Sequence, residues 1–200
     1  MNDWGGVGSS GSDGGMRIIA GTYRSRPLKA GKDQRVRPTS DKVKGALFNM
    51  IGSLGENRVL DLYAGTGSLG IEALSRGAGF VTFVDEHPGS LALIRDNLDS
   101  LDVVAGDPRV RIIGEDVLGA CQRLQREGGI FDVILADPPY GPGVLSRVLE
   151  ILKIAPILER NGILAVEHSA KDVEFPPDFP WPLVRQRMYG DTALTLFKKG

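Results

Sequence analysis

Four aspartates in this chain stand where short apolar runs end. Asp61 lies in Val59–Leu62, Asp85 follows Phe80–Val84, Asp116 comes just after Val110–Ile113, and Asp137 follows Asp132–Ala136. Between the first two runs, Gly65-Thr66-Gly67-Ser68-Leu69-Gly70 satisfies G-x-G-x-x-G. Glycines let the backbone approach a ligand closely, and a helix beginning there supplies unpaired N–H groups. By spacing alone the loop suits a dinucleotide or S-adenosylmethionine. Asp61 separates the two: it stands four residues before Gly65, where dinucleotide-binding folds generally carry glycine or an apolar side chain. A carboxylate there can hold, directly or through water, the amino-acid ammonium of S-adenosylmethionine, which NAD lacks. Asp85 can take ribose hydroxyls of either cofactor. Asp116 can accept from an adenine amine or cap the helix that follows, and both readings stand. With Tyr63 and Glu86, the candidate cofactor set is Asp61, Tyr63, Gly65, Gly67, Gly70, Asp85, Glu86 and Asp116.

Asp137-Pro138-Pro139-Tyr140 is the candidate catalytic segment. Two prolines after a strand make a stiff exit turn in any protein. The full tetrapeptide, behind a sheet whose first strand leads into Asp-x-x-x-Gly-x-Gly, resembles the [DNS]-P-P-[YFW] signature of methyltransferases acting on exocyclic amines of nucleobases. Such an amine is a poor nucleophile because its lone pair is delocalised into the ring. Asp137 and the Pro138 carbonyl can accept its two N–H bonds, prolines fix that carbonyl, and Tyr140 offers a stacking face worth ~1–3 kcal/mol. The target base must be flipped or single-stranded.

The elements that position these residues follow from periodicity. The apolar runs 59–62, 80–84, 110–113, 132–136 and 163–167 alternate with helical stretches at 68–76, 88–100, 117–127 and 143–158, with Gly77 and Gly162 as C-terminal stops. Residues 183–188 and 193–197 flank Tyr189-Gly190-Asp191-Thr192 with no room for a helix, so they predict an antiparallel hairpin. Upstream, Val43, Ala46, Leu47, Met50 and Ile51 predict a helix over about 40–53, capped by Thr39 or Ser40. Arg17–Gly21 and Arg26–Ala30 predict a short β-hairpin. The fold class is α/β: a doubly wound, Rossmann-like, seven-stranded mixed sheet with a small N-terminal hairpin arm.

Composition excludes several function classes. The chain has 200 residues, 42% hydrophobic and 24% charged, with a formal net charge of −1, so neither wholesale disorder nor nucleic-acid binding by bulk charge is expected. No apolar run approaches the roughly 18 residues that cross a bilayer. Two histidines and one cysteine, Cys121, give little support to a metal site and none to an intramolecular disulfide. A cytoplasmic, monomeric protein without metal or membrane is expected. Charge is uneven, however: residues 17–44 hold nine bases against two acids, while 45–200 carry 15 bases against 21 acids. This basic arm suggests a polyanionic partner. Residues 1–15, rich in Gly and Ser, are expected to be a tail, with 16–38 the arm and 39–200 the main domain. His87, His168 and Trp181 are expected to be structural or superficial.

Several separate segments together resemble the RsmD family, which methylates N2 of a guanine in 16S ribosomal RNA. They are Arg17-Ile-Ile-Ala-Gly21, Arg24-Ser-Arg26-Pro-Leu28, Arg37-Pro-Thr39-Ser-Asp41-Lys-Val43 with Leu47-Phe-Asn49, the glycine loop, Asp137-Pro-Pro-Tyr140 and Tyr189-Gly-Asp-Thr192. The resemblance spans residues 16–197 and implies a class I methyltransferase fold, S-adenosylmethionine as cofactor, and 16S rRNA or the small ribosomal subunit as partner. It further implies guanine 966 as target, an arm that binds RNA, and Arg37, Thr39 and Asp41 at the edge of the site. The implied RNA-binding residues are Arg17, Arg24, Arg26, Arg37, Thr39 and Asp41. Gly45 stands where the family usually has glutamate, and Ala20 and Ser25 replace arm glycines. Competing readings are a DNA or RNA methyltransferase acting on adenine N6 or cytosine N4, an NAD-dependent oxidoreductase, and a non-catalytic RNA-binding assembly factor.

Overall fold

The computed structural model describes residues 15–31, 40–172 and 175–200. Their elements run α1 (Asp41–Ile51), β1 (Arg58–Leu62), α2 (Ser68–Ser75), β2 (Phe80–Val84), α3 (Pro88–Asp99), β3 (Val110–Ile113), α4 (Val117–Arg126), β4 (Phe131–Ala136), α5 (Val144–Ile154), β5 (Leu158–Ser169), β6 (Leu183–Tyr189) and β7 (Thr192–Lys198). The strands form one seven-stranded sheet in the order β3-β2-β1-β4-β5-β7-β6. β1 to β5 are parallel, and β7 pairs antiparallel with both β5 and β6. The expected doubly wound mixed sheet is therefore present.

Strand alternation decides what each face buries. Val59, Val133 and Leu135 pack with the arm, α1, α2 and α3, whereas Leu60, Leu62, Ile134 and Ala136 pack with α4 and α5. Both faces are covered, which is why the central strands read as continuous apolar runs. Ser40 caps α1 by accepting the Val43 amide at 3.3 Å. Gly77 follows α2 at φ +98°, a left-handed stop that glycine adopts without penalty.

Two expectations need correction. The fifth helix ends at Ile154 rather than 158, and Gly162 is not its stop. Pro156 disfavours helix at the residue before it, and Ala155 has left the helical region at φ −121°, ψ 81°. Leu158 then opens β5, which advances five residues to Ile163 while β4 advances two. Gly162 lies inside that irregularity, where a Cβ would come within 2.8 Å of the Glu159 carbonyl.

The N-terminal hairpin is short: around one antiparallel bridge, Arg17 to Pro27, the Ile18 amide donates to the Arg26 carbonyl at 3.0 Å, Ser25 to the Ile18 carbonyl at 2.8 Å and Leu28 to the Met16 carbonyl at 2.8 Å. Pro27 has no amide hydrogen to donate, and much of the arm's remaining hydrogen bonding goes to α2. Ile19 and Ala20 donate to the Glu72 carboxylate at 2.7 and 3.1 Å, and Thr22 donates to the Ser75 carbonyl at 2.8 Å. A Cβ at Gly21 would lie 1.7 Å from that carbonyl, so this contact requires glycine.

Candidate active site at the carboxyl edge of the sheet

The glycine loop is held by acids at both ends. Asp61, buried near the end of β1, accepts the Gly70 amide at 2.8 Å. Asp85, just past β2, accepts the Gly65 amide at 2.8 Å through one oxygen and the His87 amide at 2.9 Å through the other. Its carboxylate therefore shapes the loop, whatever it offers a ribose through its remaining lone pairs. Gly65 and Gly67 are left-handed, at φ +55° and +79°. Gly70 serves packing, because a Cβ there would meet the Phe83 ring at 2.3 Å. At Gly65 the nearest atom to such a Cβ would be 3.9 Å away, so the loop presents bare backbone to open space. A ligand-binding cradle requires that feature.

Burial pushes the pKa of Asp61 well above the ordinary carboxylate range. The Gly70 amide opposes that shift, while Asp137 and Asp85 reinforce it. A cation placed beside this carboxylate would relieve the cost of its charge. Asp116 takes its capping role, accepting the Gly119 amide at 3.0 Å at the start of α4. Tyr63 is left-handed at φ +58° on the exit from β1, and Glu86 is exposed beside His87.

Asp137-Pro138-Pro139-Tyr140 leaves β4 beside this loop, with the Asp137 amide 3.4 Å from the Leu62 carbonyl of β1. Asp61 pairs with Leu135, and Ala136 pairs with Val166. Asp61, Asp137 and Glu167 therefore follow one face of three adjacent strands at their carboxyl ends. The strand order reverses between β1 and β4, the position where open α/β sheets form their ligand crevice. Pro138 is buried, whereas Tyr140 is 50% exposed. The Tyr140 hydroxyl lies 2.7 Å from Thr192 Oγ1 and 3.2 Å from Glu167 Oε1. Burial holds this phenol's pKa up to about 12, so it stays protonated at neutral pH.

The candidate RNA-binding residues are placed differently from one another. Arg17 Nε bonds Asp41 at 2.8 Å, so these two form an ion pair. Arg24 is exposed, and Arg26 donates to the Ser100 carbonyl at the end of α3. Arg17, Arg24, Asp41 and Lys42 line a surface cavity of about 380 Å³. Arg37 and Thr39 lie outside the described residues.

Sequence reasoning passed over the polar groups that lock arm to loop. Lys44 is fully buried on α1; its Nζ donates to the Arg17 carbonyl at 2.7 Å and to Ser68 Oγ at 2.9 Å, and lies 3.9 Å from Glu72. Burial lowers the pKa of this amine, and Glu72 partly restores it. Asn97 accepts from the Lys29 amide at 2.7 Å and donates to the Thr66 carbonyl of the glycine loop at 2.9 Å. Their one sequence signal is a polar residue on an apolar helical stripe, as in Leu69-Gly70-Ile71-Glu72-Ala73-Leu74. His168 is buried, its ring bonded to the Ser169 carbonyl and Thr195 Oγ1. Trp181 packs edge-on to Phe179.

Comparison with known proteins agrees with this architecture. Residues 16–198 match the family described as "Conserved hypothetical protein 95". "Putative rRNA methyltransferase YlbH" of Bacillus subtilis is 38% identical, over 92% of this chain and 99% of that protein. "Ribosomal RNA small subunit methyltransferase D" of Haemophilus influenzae is 31% identical, over 92% and 94%. Among solved structures, "Putative methyltransferase yhhF" from Escherichia coli superposes with a TM-score of 0.79 at 28% identity, over 93% and 98% of the two chains. A glycine loop braced by Asp61, an Asp-Pro-Pro-Tyr exit from the neighbouring strand and an end-to-end sequence match thus converge: the chain belongs to the RsmD family and has the class I methyltransferase fold.

Proposed function

We propose that this protein transfers a methyl group from S-adenosylmethionine to the exocyclic N2 amine of a guanine in small-subunit ribosomal RNA. One observation carries the reading: Asp61 and Asp137 share a face on adjacent strands at the point where strand order reverses. One places a buried acid beside the glycine loop, and the other opens an amine-binding tetrapeptide. The relatives' names support ribosomal RNA as the substrate class.

The cofactor, when bound, supplies an electrophilic methyl on a sulfonium. The protein's own part is positioning. Asp61 balances a cationic ligand and keeps the loop in shape through Gly70. Asp137 and the Pro138 carbonyl accept the two hydrogens of the amine, which concentrates its lone pair on nitrogen, and Asp137 takes the proton that leaves. Tyr140 stacks on the base. Acceleration then comes from orientation and fixed dipoles rather than from a strong base. The arm holds the RNA backbone through exposed arginines.

Transfer of labelled methyl to purified 16S rRNA and to small subunits, with mass mapping of the product, tests the reading. N2-methylguanine at one site, guanine 966 by family resemblance, is expected. Label in N6-methyladenine or N4-methylcytosine, or none at all, overturns it.

A further inference from the structure

The C-terminal hairpin reaches the candidate active site at one residue. Tyr189 pairs with Thr192 across a two-residue turn, and Gly190 sits at φ +62°, the left-handed first position that such turns favour. The Asp191 carbonyl accepts the Ala170 amide at 2.8 Å, which ties the turn to the end of β5. Because β7 runs antiparallel to β5, its first residue arrives where the parallel strands end, and Ser169 pairs with Thr192. A parallel strand would bring its last residue to that edge. Thr192 Oγ1 meets the Tyr140 hydroxyl there at 2.7 Å, and Glu167 Oε1 lies 3.2 Å from the same oxygen.

We propose that Thr192 and Glu167 are positioning residues that clamp Tyr140, so that the hairpin turn sets the face on which the target base stacks. The inference rests on the methyltransferase reading and adds to it a role for Tyr189-Gly190-Asp191-Thr192. The hydrogen-bond assignment is determined by chemistry. A carboxylate only accepts, so the phenol donates its single proton to Glu167 and the Thr192 hydroxyl donates to the phenol oxygen. Two bonds in different directions fix both the tilt and the swing of a ring that is otherwise half exposed. Glu167 is buried, so the carboxylate is itself held in place. A freely turning Tyr140 would have to be ordered by each incoming base, at a cost in binding.

Thr192→Val keeps the shape and removes the donor; Tyr140→Phe keeps the ring and removes the hydroxyl. Both variants and their double mutant are assayed for methyl transfer to 16S rRNA, with cofactor affinity measured by calorimetry. Thr192→Val should raise KM for RNA about three- to tenfold, the range of one lost neutral hydrogen bond, and Tyr140→Phe, which loses both bonds, at least as much, with cofactor affinity unchanged. The double mutant should be no worse than the worse single one, and Thr192→Ser should restore activity. Additive losses, or wild-type kinetics in either single variant, overturn the clamp while leaving the methyltransferase reading standing. A wild-type enzyme that leaves RNA unmethylated defeats that reading instead.

Discussion

Asp61 accepts the amide hydrogen of Gly70 at 2.8 Å, a bond that crosses the whole glycine loop from β1 to the first turn of α2. One buried carboxyl group thereby sets the loop's shape and stands directly beside it.

Asp61→Asn separates the hydrogen bond from the charge, because its amide oxygen still accepts from Gly70 while the charge is gone. The variant should fold and bind S-adenosylmethionine about 10- to 100-fold more weakly, the range of a lost hydrogen bond to a charged group. Calorimetric titration measures this. The same pair gives a pH prediction. The folded-state pKa of Asp61 lies above the unfolded value of 3.8, so the native state holds more protons between the two values and stability falls as pH rises through that window. Denaturation curves should show the wild type losing stability relative to Asp61→Asn from about pH 4 upward; parallel curves would contradict the burial argument.

Lys44→Met removes the buried amine that joins the Arg17 carbonyl, Ser68 and Glu72. Glu72 keeps Arg76 and two arm amides but loses its second cation. Breaking a buried ion pair by removing one partner costs about 3–5 kcal/mol. Urea unfolding should report that loss, and hydrogen exchange at Ile19 and Ala20 should accelerate as the arm loosens.

Asp137→Ala should abolish turnover by at least about 100-fold, the scale of a lost proton acceptor, with cofactor affinity within about twofold of wild type. Single-turnover methyl transfer alongside cofactor titration separates the two. Normal turnover would remove Asp137 from the mechanism.

Arg24→Gln is the cleanest probe of the arm. Arg24 is exposed, whereas Arg17 is paired with Asp41 and Arg26 bonds the end of α3. If Arg24 contacts a phosphate, the variant should bind RNA more weakly and its log–log salt slope should flatten by ~0.7. Filter binding across a salt series tests this, and an unchanged slope would count against the arm.

Gly45→Ala should stabilise the protein by about 1 kcal/mol, since glycine sits mid-helix in α1 and a Cβ would approach only Ile19 Cγ2, at 3.9 Å. A rise in the urea midpoint with unchanged slope is the expected result.

Period and punctuation in the sequence were enough to determine the parallel strands, their helices and the closing hairpin, because buried strands and amphipathic helices each leave a local pattern. They failed at α5, where Pro156 outweighs Gly162, and gave no sign that the arm, beyond the bonds between its own two segments, ties its backbone to α2. Asp61, Gly65 and Asp137 were legible because their residue types are unusual at strand ends. Tertiary structure alone decided that Asp85 supports the loop, that Asp116 caps a helix, that Lys44 and Asn97 lock arm to loop, and that Thr192 meets Tyr140. These bonds join residues 20 to 68 positions apart or depend on strand order, except the Asp116 cap, which is local. A one-dimensional pattern records the period of an element and the residues at its ends, but which elements become neighbours is set by how the sheet is wound.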